Sequence, residues 1–299
     1  MQLTGLHLLL TYQCTFECDH CFAWGSPWQD GTMTLQDIRQ ILQQADQMGG
    51  VEWIYFEGGE PFLYYRTLLK GVEMAARAGY RVGIVSNTYW ATSVEDAIEW
   101  LRPLSAWVQD LSISSDLYHY SEKISRQTRY ANQAAEVLGI PVGVISIAQP
   151  DCQAEEAHGQ LPTGESAVCY RGRAAAKLVE GVQMKPWDVY DECPYEDLRD
   201  PGRVHLDPLG YVHICQGISL GNIYQSSISD IWAQYDPDTH PISAALLAGG
   251  PAELVKRNKL PHEDGYADAC HLCYSARTAL RSRYPEALLP DQMYGIYSQ

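Results

Sequence analysis

The sequence lacks the marks of several protein classes. It has no apolar run near the roughly 18 residues that a membrane-spanning helix needs, so we expect no membrane partner. It has no run of five basic residues, and its net charge of −16 argues against nucleic acid as a partner. The N-terminal segment lacks the basic stretch and the cleavage site of a signal peptide, so we expect a cytoplasmic protein.

Cysteine is scarce, and its distribution is uneven. The chain has 9 cysteines in 299 residues, and three of them fall between Cys14 and Cys21. An odd, clustered set of thiols in a reducing compartment argues against a disulfide framework. Metal ligation or catalysis is the better interpretation.

Apolar strands alternate with helical segments through the first 150 residues. This alternation is typical of parallel βα units and predicts an α/β fold. We expect five strands and a sixth unit at 5–11, 51–57, 81–87, 107–115, 140–148 and 167–184. The pattern changes after about residue 186, where residues 203–215 predict a β-hairpin and helical segments follow.

The first cysteine group, Cys14, Cys18 and Cys21, has spacings that let three thiolates from one loop meet at one centre. A structural zinc site needs four ligands, and His20 is the local candidate for the fourth. Three ligands on a four-iron cluster would instead leave one iron open. The segment EGGEP at 57–61 ends the second predicted strand at the same sheet edge, where its glycines allow a close backbone approach and offer amide donors.

These two motifs together resemble the radical S-adenosylmethionine (radical SAM) superfamily. The resemblance implies a partial (β/α)6 TIM-type barrel over residues 1–186. It implies a [4Fe–4S] cluster held by Cys14, Cys18 and Cys21, with SAM bound at the open iron. Reductive cleavage of SAM would yield a 5′-deoxyadenosyl radical that abstracts a substrate hydrogen.

The resemblance also implies candidate SAM contacts. Gly58, Gly59 and Glu60 would face the methionine amino group. The ribose would be contacted from the ends of the middle strands, and an arginine would pair with the carboxylate. For these roles we expect Ser86, Asn87, Ser114 and Arg173. Strand-end capping for the first three, and a solvated helix start for Arg173, are equally open.

A second cysteine group lies in the C-terminal part: Cys193, Cys215, Cys270 and Cys273. Spacing alone leaves open a zinc knuckle or an iron–sulfur cluster. The pattern is similar to the SPASM and twitch modules of radical SAM enzymes. No cysteine follows Cys273, so it resembles the shorter twitch form. This implies a small α+β domain over residues 187–299, with a β-hairpin and one auxiliary [4Fe–4S] cluster that passes electrons.

Two cysteines belong to neither group. Cys152 follows the fifth predicted strand, and Cys169 lies near the sixth unit. Either thiol could donate a hydrogen atom to a substrate radical, could replace an auxiliary ligand, or could simply pack as a small residue.

The resemblance leaves the reaction open. The leading prediction is oxidation, cross-linking or epimerisation of a ribosomally synthesised peptide. The alternatives are dehydrogenation of a small metabolite such as an aminosugar alcohol, glycyl-radical activation of a partner protein, and a non-enzymatic structural zinc protein. We expect a flavodoxin- or ferredoxin-type electron donor. Because the chain starts directly at the first strand, leader recognition would need a separate partner.

Overall fold

A nine-stranded sheet organises the structure, a computed structural model that describes residues 2–150 and 152–296. Six parallel strands follow one another in chain order, and three more extend the sheet beyond the first strand. The strands of this sheet are β1 Gly5–Thr11, β2 Trp53–Gly58, β3 Arg81–Ser86, β4 Val108–Ser114, β5 Val142–Ile147, β6 Gly164–Ser166, β8 Arg203–Leu206, β9 Tyr211–Cys215 and β10 Ile218–Asn222, while β7 Lys185–Pro186 and β11 Gly265–Tyr266 form a separate pair. The predicted α/β fold with a partial TIM-type barrel is confirmed.

Helices lie between the first five parallel strands and in the C-terminal part of the chain. They are α1 Leu35–Met48, α2 Tyr65–Arg77, α3 Val94–Leu101, α4 Arg126–Leu138, α5 Ala174–Lys177, α6 Ile228–Gln234, α7 Ser243–Asn258 and α8 Ala269–Leu280. Helix α1 begins where Thr34 and Asp37 form a capping box. Its apolar residues recur at helical spacing, so one stripe faces the core. No helix in the described part of the chain is long and apolar enough to cross a bilayer.

The sixth unit differs from its predicted range of 167–184. Its strand β6 ends at Ser166, and its helix α5 has four residues. The reason is a long-range contact, because the Arg173 amide donates to the Cys21 carbonyl at 3.0 Å. A Cβ at Gly172 would lie 2.5 Å from the Phe22 carbonyl oxygen, so glycine lets the two segments meet. Residues 167–173 therefore follow the cysteine loop instead of adding to the sheet.

The predicted hairpin is confirmed as β8 and β9. Strand β8 also pairs in parallel with β1, and His205 is the register partner of His7. One sheet therefore crosses the predicted domain boundary after residue 186. Two apolar cores lie on either side of the sheet's first strand, and each draws residues from both parts of the chain. The boundary itself stays a prediction.

Helix α7 contains a kink that positions the second cysteine group. Its backbone is non-helical at Gly249 and Gly250. Gly250 has a φ of +61°, and a Cβ there would lie 2.3 Å from the Glu192 amide nitrogen. Only glycine permits this approach, which holds the chain just before Cys193.

Candidate functional site

One cavity of about 230 Å³ opens at the carboxyl ends of the parallel strands. This is the edge at which α/β folds place their ligands. The predicted residues that line it are Cys14, Cys18, Cys21, Gly58, Gly59, Ser86, Asn87, Ser114 and Cys169. The fold thus brings together the cysteine loop, the glycine pair and three polar strand ends, although they are far apart in sequence.

The sulfur atoms of the cysteine loop receive hydrogen bonds that suit metal-bound thiolates. The Gly25 amide donates to Cys21 Sγ at 3.2 Å. The Phe16 amide and the Asn87 side-chain amide each donate to Cys14 Sγ at 3.5 Å. Such bonds stabilise thiolates and tune iron–sulfur clusters. The donor set therefore fits a cluster with three cysteine ligands.

Burial of these thiols also favours a bound metal. It raises the pKa of Cys14 to about 12, with the nearby Glu60 charge adding to the effect. Burial also raises the pKa of Cys18, and the neighbouring thiols Cys21 and Cys14 add to it. A bound metal replaces the proton and compensates the buried charge, so metal binding and thiol deprotonation are coupled here.

His20 is not arranged as a fourth ligand of this loop. Its Nε2 lies 3.4 Å from an Asp116 carboxylate oxygen, and its ring stacks on Tyr118 at 4.7 Å between centroids. The ring is thus held by Asp116 and Tyr118. The local zinc alternative of Cys14, Cys18, Cys21 and His20 loses its fourth member.

Backbone hydrogen bonds join the GGEP segment to the residues just before the cysteine loop. The Gly59 amide donates to the Thr11 carbonyl at 2.7 Å, and the Glu60 amide donates to the Gln13 carbonyl at 2.9 Å. A Cβ at Gly59 would lie 2.1 Å from the Gln13 oxygen. The Gly59 and Glu60 amides therefore bind the segment that leads into the cysteines, and contact of Gly58, Gly59 and Glu60 with the SAM amino group stays a prediction.

The Glu60 side chain is fully buried and occupied by protein donors. It accepts hydrogen bonds from Ser86 Oγ at 2.9 Å, from the Asn87 amide at 2.8 Å and from the Phe62 amide at 3.0 Å. Burial raises its pKa to about 7. Glu60 therefore ties β3 to the glycine segment, and direct SAM contact by Glu60 or Ser86 stays a prediction.

Arg173 supports the cysteine loop from inside the protein. Its side chain is 1% exposed, so the solvated helix start is wrong. The guanidinium donates to the Cys18 carbonyl at 2.7 Å and to the Gly25 carbonyl at 2.8 Å, and it lies over the Trp24 ring at 5.3 Å. These contacts brace the loop, while Arg173 Nε has no hydrogen-bond partner, so pairing of Arg173 with the SAM carboxylate stays a prediction.

Replacing Arg173 by methionine should therefore loosen the cysteine loop. Two buried carbonyls lose their donors, at a cost of about 1–3 kcal/mol each. We expect a fall of at least about 5 °C in the thermal midpoint and a lower iron content after anaerobic reconstitution. Arg173→Lys should be intermediate, and Arg77→Met on an exposed helix face is the matched control. Unchanged stability and iron content in Arg173→Met would contradict this role.

The two remaining thiols lie in different places. Cys152 is exposed. Cys169 lines the cavity with the cysteine loop, and it shares a hydrogen bond with Cys270 of the second group. This bond lowers the pKa of Cys169 and raises that of Cys270. Of the two, Cys169 is therefore the one positioned between the cavity and the second cysteine group.

The second cysteine group is drawn from three parts of the C-terminal region, and its role as a ligand set stays a prediction. Cys193, Cys215, Cys270 and Cys273 line one small pocket. Cys270 and Cys273 lie on helix α8, which Asp268 caps by accepting from the His271 amide. The loop, the hairpin and the helix thus bring four thiols to the wall of one pocket.

Two arginines compensate for charge at this pocket. Arg171 Nη1 donates to Glu196 at 3.3 Å and to Cys215 Sγ at 3.7 Å. Arg277 is 1% exposed, and it donates to the Gln216 carbonyl. Both cations offset the excess negative charge that four buried thiolates bring to an iron–sulfur cluster. The donor set therefore fits such a cluster.

The spacing of the sulfurs disfavours zinc at either site. Zinc holds thiolates at about 2.3 Å, which places the sulfurs about 3.8 Å apart. Over residues 2–150 and 152–296, the sets of three or more ligand atoms within 4.8 Å of one another are two histidine–carboxylate groups, without cysteine. Both cysteine groups are thus more open than a single zinc ion requires.

Sequence reasoning missed three polar residues in the cavity wall, His7, Glu57 and His205. The signal was present in part, since His7 interrupts the apolar strand β1 and Glu57 ends β2. Their proximity depends on the pairing of β1 with β8, which no local pattern reveals.

Comparisons with known proteins agree with this geometry. Residues 8–138 match the Radical SAM superfamily. The chain is 30% identical over 111 residues to the putative peptide biosynthesis protein YydG of Bacillus subtilis (strain 168), a match that covers 37% of this chain and 35% of YydG. The chain thus spans about a third of the length of the curated relatives it matches.

Solved structures show the same fold. BtrN in complex with AdoMet and 2-DOIA superposes with a TM-score of 0.57 at 18% identity, over 92% of each chain. Streptococcus suis SuiB bound to precursor peptide SuiA superposes with a TM-score of 0.58 at 13% identity, over 90% of this chain and 76% of SuiB. The family match, the position of the thiols and the barrel fold all indicate the same superfamily. Residues 8–138, which carry the cysteine loop and the GGEP segment, therefore match the Radical SAM superfamily, and the chain shares its fold with these solved structures.

Proposed function

We propose that this chain is a radical SAM enzyme that epimerises a residue of a ribosomally synthesised peptide. The observation that carries the proposal is a single cavity lined by the cysteine loop, by the Gly58–Gly59 pair and by the thiol of Cys169. A site for radical generation and a hydrogen-atom donor thereby share one space.

The cofactors in this proposal are SAM and two [4Fe–4S] clusters. Cys14, Cys18 and Cys21 would hold the first cluster, and Cys193, Cys215, Cys270 and Cys273 would hold the auxiliary one. With SAM bound and one electron supplied, the first site would provide a 5′-deoxyadenosyl radical. Asn87 contributes by holding Cys14 Sγ and the Thr15 hydroxyl, at 3.5 and 3.1 Å.

Cys169 would complete the reaction. A Cα–H bond of the peptide breaks, and the hydrogen atom ends in 5′-deoxyadenosine. The Cys169 S–H bond then breaks to give the carbon a new hydrogen atom. The resulting thiyl radical takes one electron and one proton, the electron coming from a flavodoxin- or ferredoxin-type donor. The contact between Cys169 and Cys270 supports a path through the auxiliary cysteines.

Peptides are the favoured substrate class on the evidence of two named proteins. YydG is described as a putative peptide biosynthesis protein, and its match lies at 30% identity. SuiB was solved with its precursor peptide and shares this fold. These descriptions belong to those proteins, and they support extending a peptide substrate to this chain.

Dehydrogenation of a small metabolite is the second candidate. The BtrN structure with AdoMet and 2-DOIA covers 92% of both chains. In this case the cluster held by the auxiliary cysteines would accept the second electron, and the hydroxyl proton would pass to solvent. Arg171 lines both cavities and marks where they approach each other.

Product mass in heavy water separates the candidates. Reconstituted protein, reductant and SAM are incubated in D2O with synthetic peptides encoded beside the gene, or with an aminosugar alcohol. Epimerisation adds one deuterium from the exchanged thiol, a gain of about 1 Da. Oxidation or cross-linking removes two hydrogens, a loss of about 2 Da. Formation of 5′-deoxyadenosine with no change in any of these substrates would contradict both candidates.

A further inference from the structure

Three polar residues meet on one face of the sheet, inside the cavity. His7 lies on β1, Glu57 on the neighbouring β2 and His205 on β8, which flanks β1 on its other side. Glu57 pairs with Leu9, and His205 pairs with His7. Residues two apart in a strand share a face, so the register delivers all three side chains to the cavity.

Their ligand atoms have the spacing of a coordination sphere. His7 Nδ1 lies 3.4 Å and His205 Nε2 lies 3.0 Å from the same carboxylate oxygen of Glu57. All three atoms lie within 4.8 Å of one another. Ligands held at about 2.0–2.2 Å from one cation are separated by about 3.0–3.5 Å, whether the geometry is octahedral or tetrahedral. The trio therefore fits around a single ion.

The central oxygen has no hydrogen bond in this arrangement. Glu57 Oε1 is buried, yet neither imidazole nitrogen is aligned to donate to it. A buried carboxylate oxygen that has two imidazoles beside it but no aligned donor is incompletely satisfied. A cation equidistant from the two nitrogens and this oxygen would satisfy all three atoms at once.

Neighbouring groups hold the rings and leave the centre open. Tyr55 stacks on His7 with 4.6 Å between centroids, and Phe22 lies 5.7 Å from His205. The nearby cations Arg171 and Arg203 are both directed to Glu196, at 3.3 and 3.4 Å. Their charges are thus partly neutralised away from the trio.

A second histidine–carboxylate group in the same cavity wall offers a contrast. His20, Asp116 and His119 also lie within 4.8 Å of one another. Here the Asp116 oxygens already accept from the Tyr118 amide at 3.0 Å, from His119 Nδ1 at 2.8 Å and from the Ile147 amide at 3.1 Å. The Asp116 carboxylate therefore has aligned donors that Glu57 Oε1 lacks, although His20 Nδ1 in this second group is buried without a partner.

We propose that His7, Glu57 and His205 bind one divalent first-row cation, of the Fe2+ or Mn2+ class, with its open positions facing the cavity. Two imidazoles and one carboxylate are the donor set of mononuclear sites that keep open positions. An oxygen donor of the substrate, such as a peptide carbonyl, could then occupy an open position. The proposal does not depend on SAM cleavage or on the nature of the reaction.

Mn2+ is the probe that tests this site in the reconstituted protein. Thiolates bind it weakly, and oxidised [4Fe–4S] clusters do not contribute to its paramagnetic resonance signal. We expect loss of the free-ion signal at one Mn2+ per chain, and 14N modulation from two imidazoles in spin-echo spectra of the bound ion. Absence of stoichiometric binding or of 14N modulation in the wild-type protein would overturn the proposal.

Two variants assign the ligands. Glu57→Gln and His205→Asn should each weaken Mn2+ binding at least tenfold, and His205→Asn should remove one imidazole from the modulation. His119→Gln, in the second histidine–carboxylate group, is the matched control and should bind as the wild type does. Circular dichroism and iron content check folding. If a variant fails to fold, the imidazole modulation of the wild-type protein still tests whether histidines bind the ion. If both variants fold and bind Mn2+ as the wild type does, the assignment of the ligands is refuted.

Discussion

Replacing Cys14, Cys18 and Cys21 together by alanine is expected to reduce reductive SAM cleavage to the level of a protein-free control. All three sulfurs line the cavity, and their hydrogen bonds suit thiolate ligands. Mutation of residues that only hydrogen-bond to a metal ligand already costs metal sites about 10–100-fold, so loss of every thiolate should cost more. The measurement is 5′-deoxyadenosine formed under anaerobic conditions with a strong reductant.

The iron content gives this prediction its internal control. The variant should keep about half of the wild-type iron, because the four cysteines of the second group are untouched. Cys152→Ala, at an exposed thiol, should retain both cleavage and iron. Cleavage at the wild-type rate in the triple variant would remove the basis for the proposed chemistry.

Replacing Cys169 by alanine should separate SAM cleavage from product formation. The residue lines the cavity but is not in the cysteine loop. We expect 5′-deoxyadenosine formation to persist, because Cys169 is outside the cysteine loop. Epimerised peptide should fall at least about 100-fold, the lower end of what a positioned proton donor contributes, because no S–H bond is left to supply the hydrogen atom. Cys169→Ser should behave like Cys169→Ala, since an O–H bond is too strong to donate a hydrogen atom to a carbon radical.

Iron content distinguishes this role from ligation. Cys169 contacts Cys270, so it could instead be a ligand of the auxiliary cluster. In our proposal, Cys169→Ala keeps the full iron content. Loss of about half of the iron from Cys169→Ala, with Cys270→Ala retaining all of it, would make Cys169 a ligand and would end its assignment as donor.

The elements that the sequence predicted are those set by local signals. Strand β1 was expected at residues 5–11, and the structure places it at Gly5–Thr11. Helix α1 follows the Thr34–Asp37 capping box and its periodic apolar residues. The sixth unit was misplaced because Gly172 and Arg173 bind the cysteine loop, about 150 residues earlier in the chain.

In the candidate site, too, features set by local sequence were predicted and features set by long-range contacts were not. The cysteines were found because their spacing is a local pattern, and the fold then placed them together. The protein contacts of Glu60 and Arg173 could not be predicted, because each depends on burial against segments distant in sequence. His7 and His205 meet only through the pairing of β1 with β8, 198 residues apart in sequence.

The most direct test of the account is whether SAM binds the iron held by Cys14, Cys18 and Cys21. Reduced protein would be mixed with SAM that carries 17O in its carboxylate and 15N in its amino group, and electron–nuclear double resonance recorded on the cluster signal. We predict hyperfine coupling from both labels, which disappears in the triple alanine variant. Absence of coupling from either label in the wild-type protein, with the reduced cluster present, would contradict the central claim.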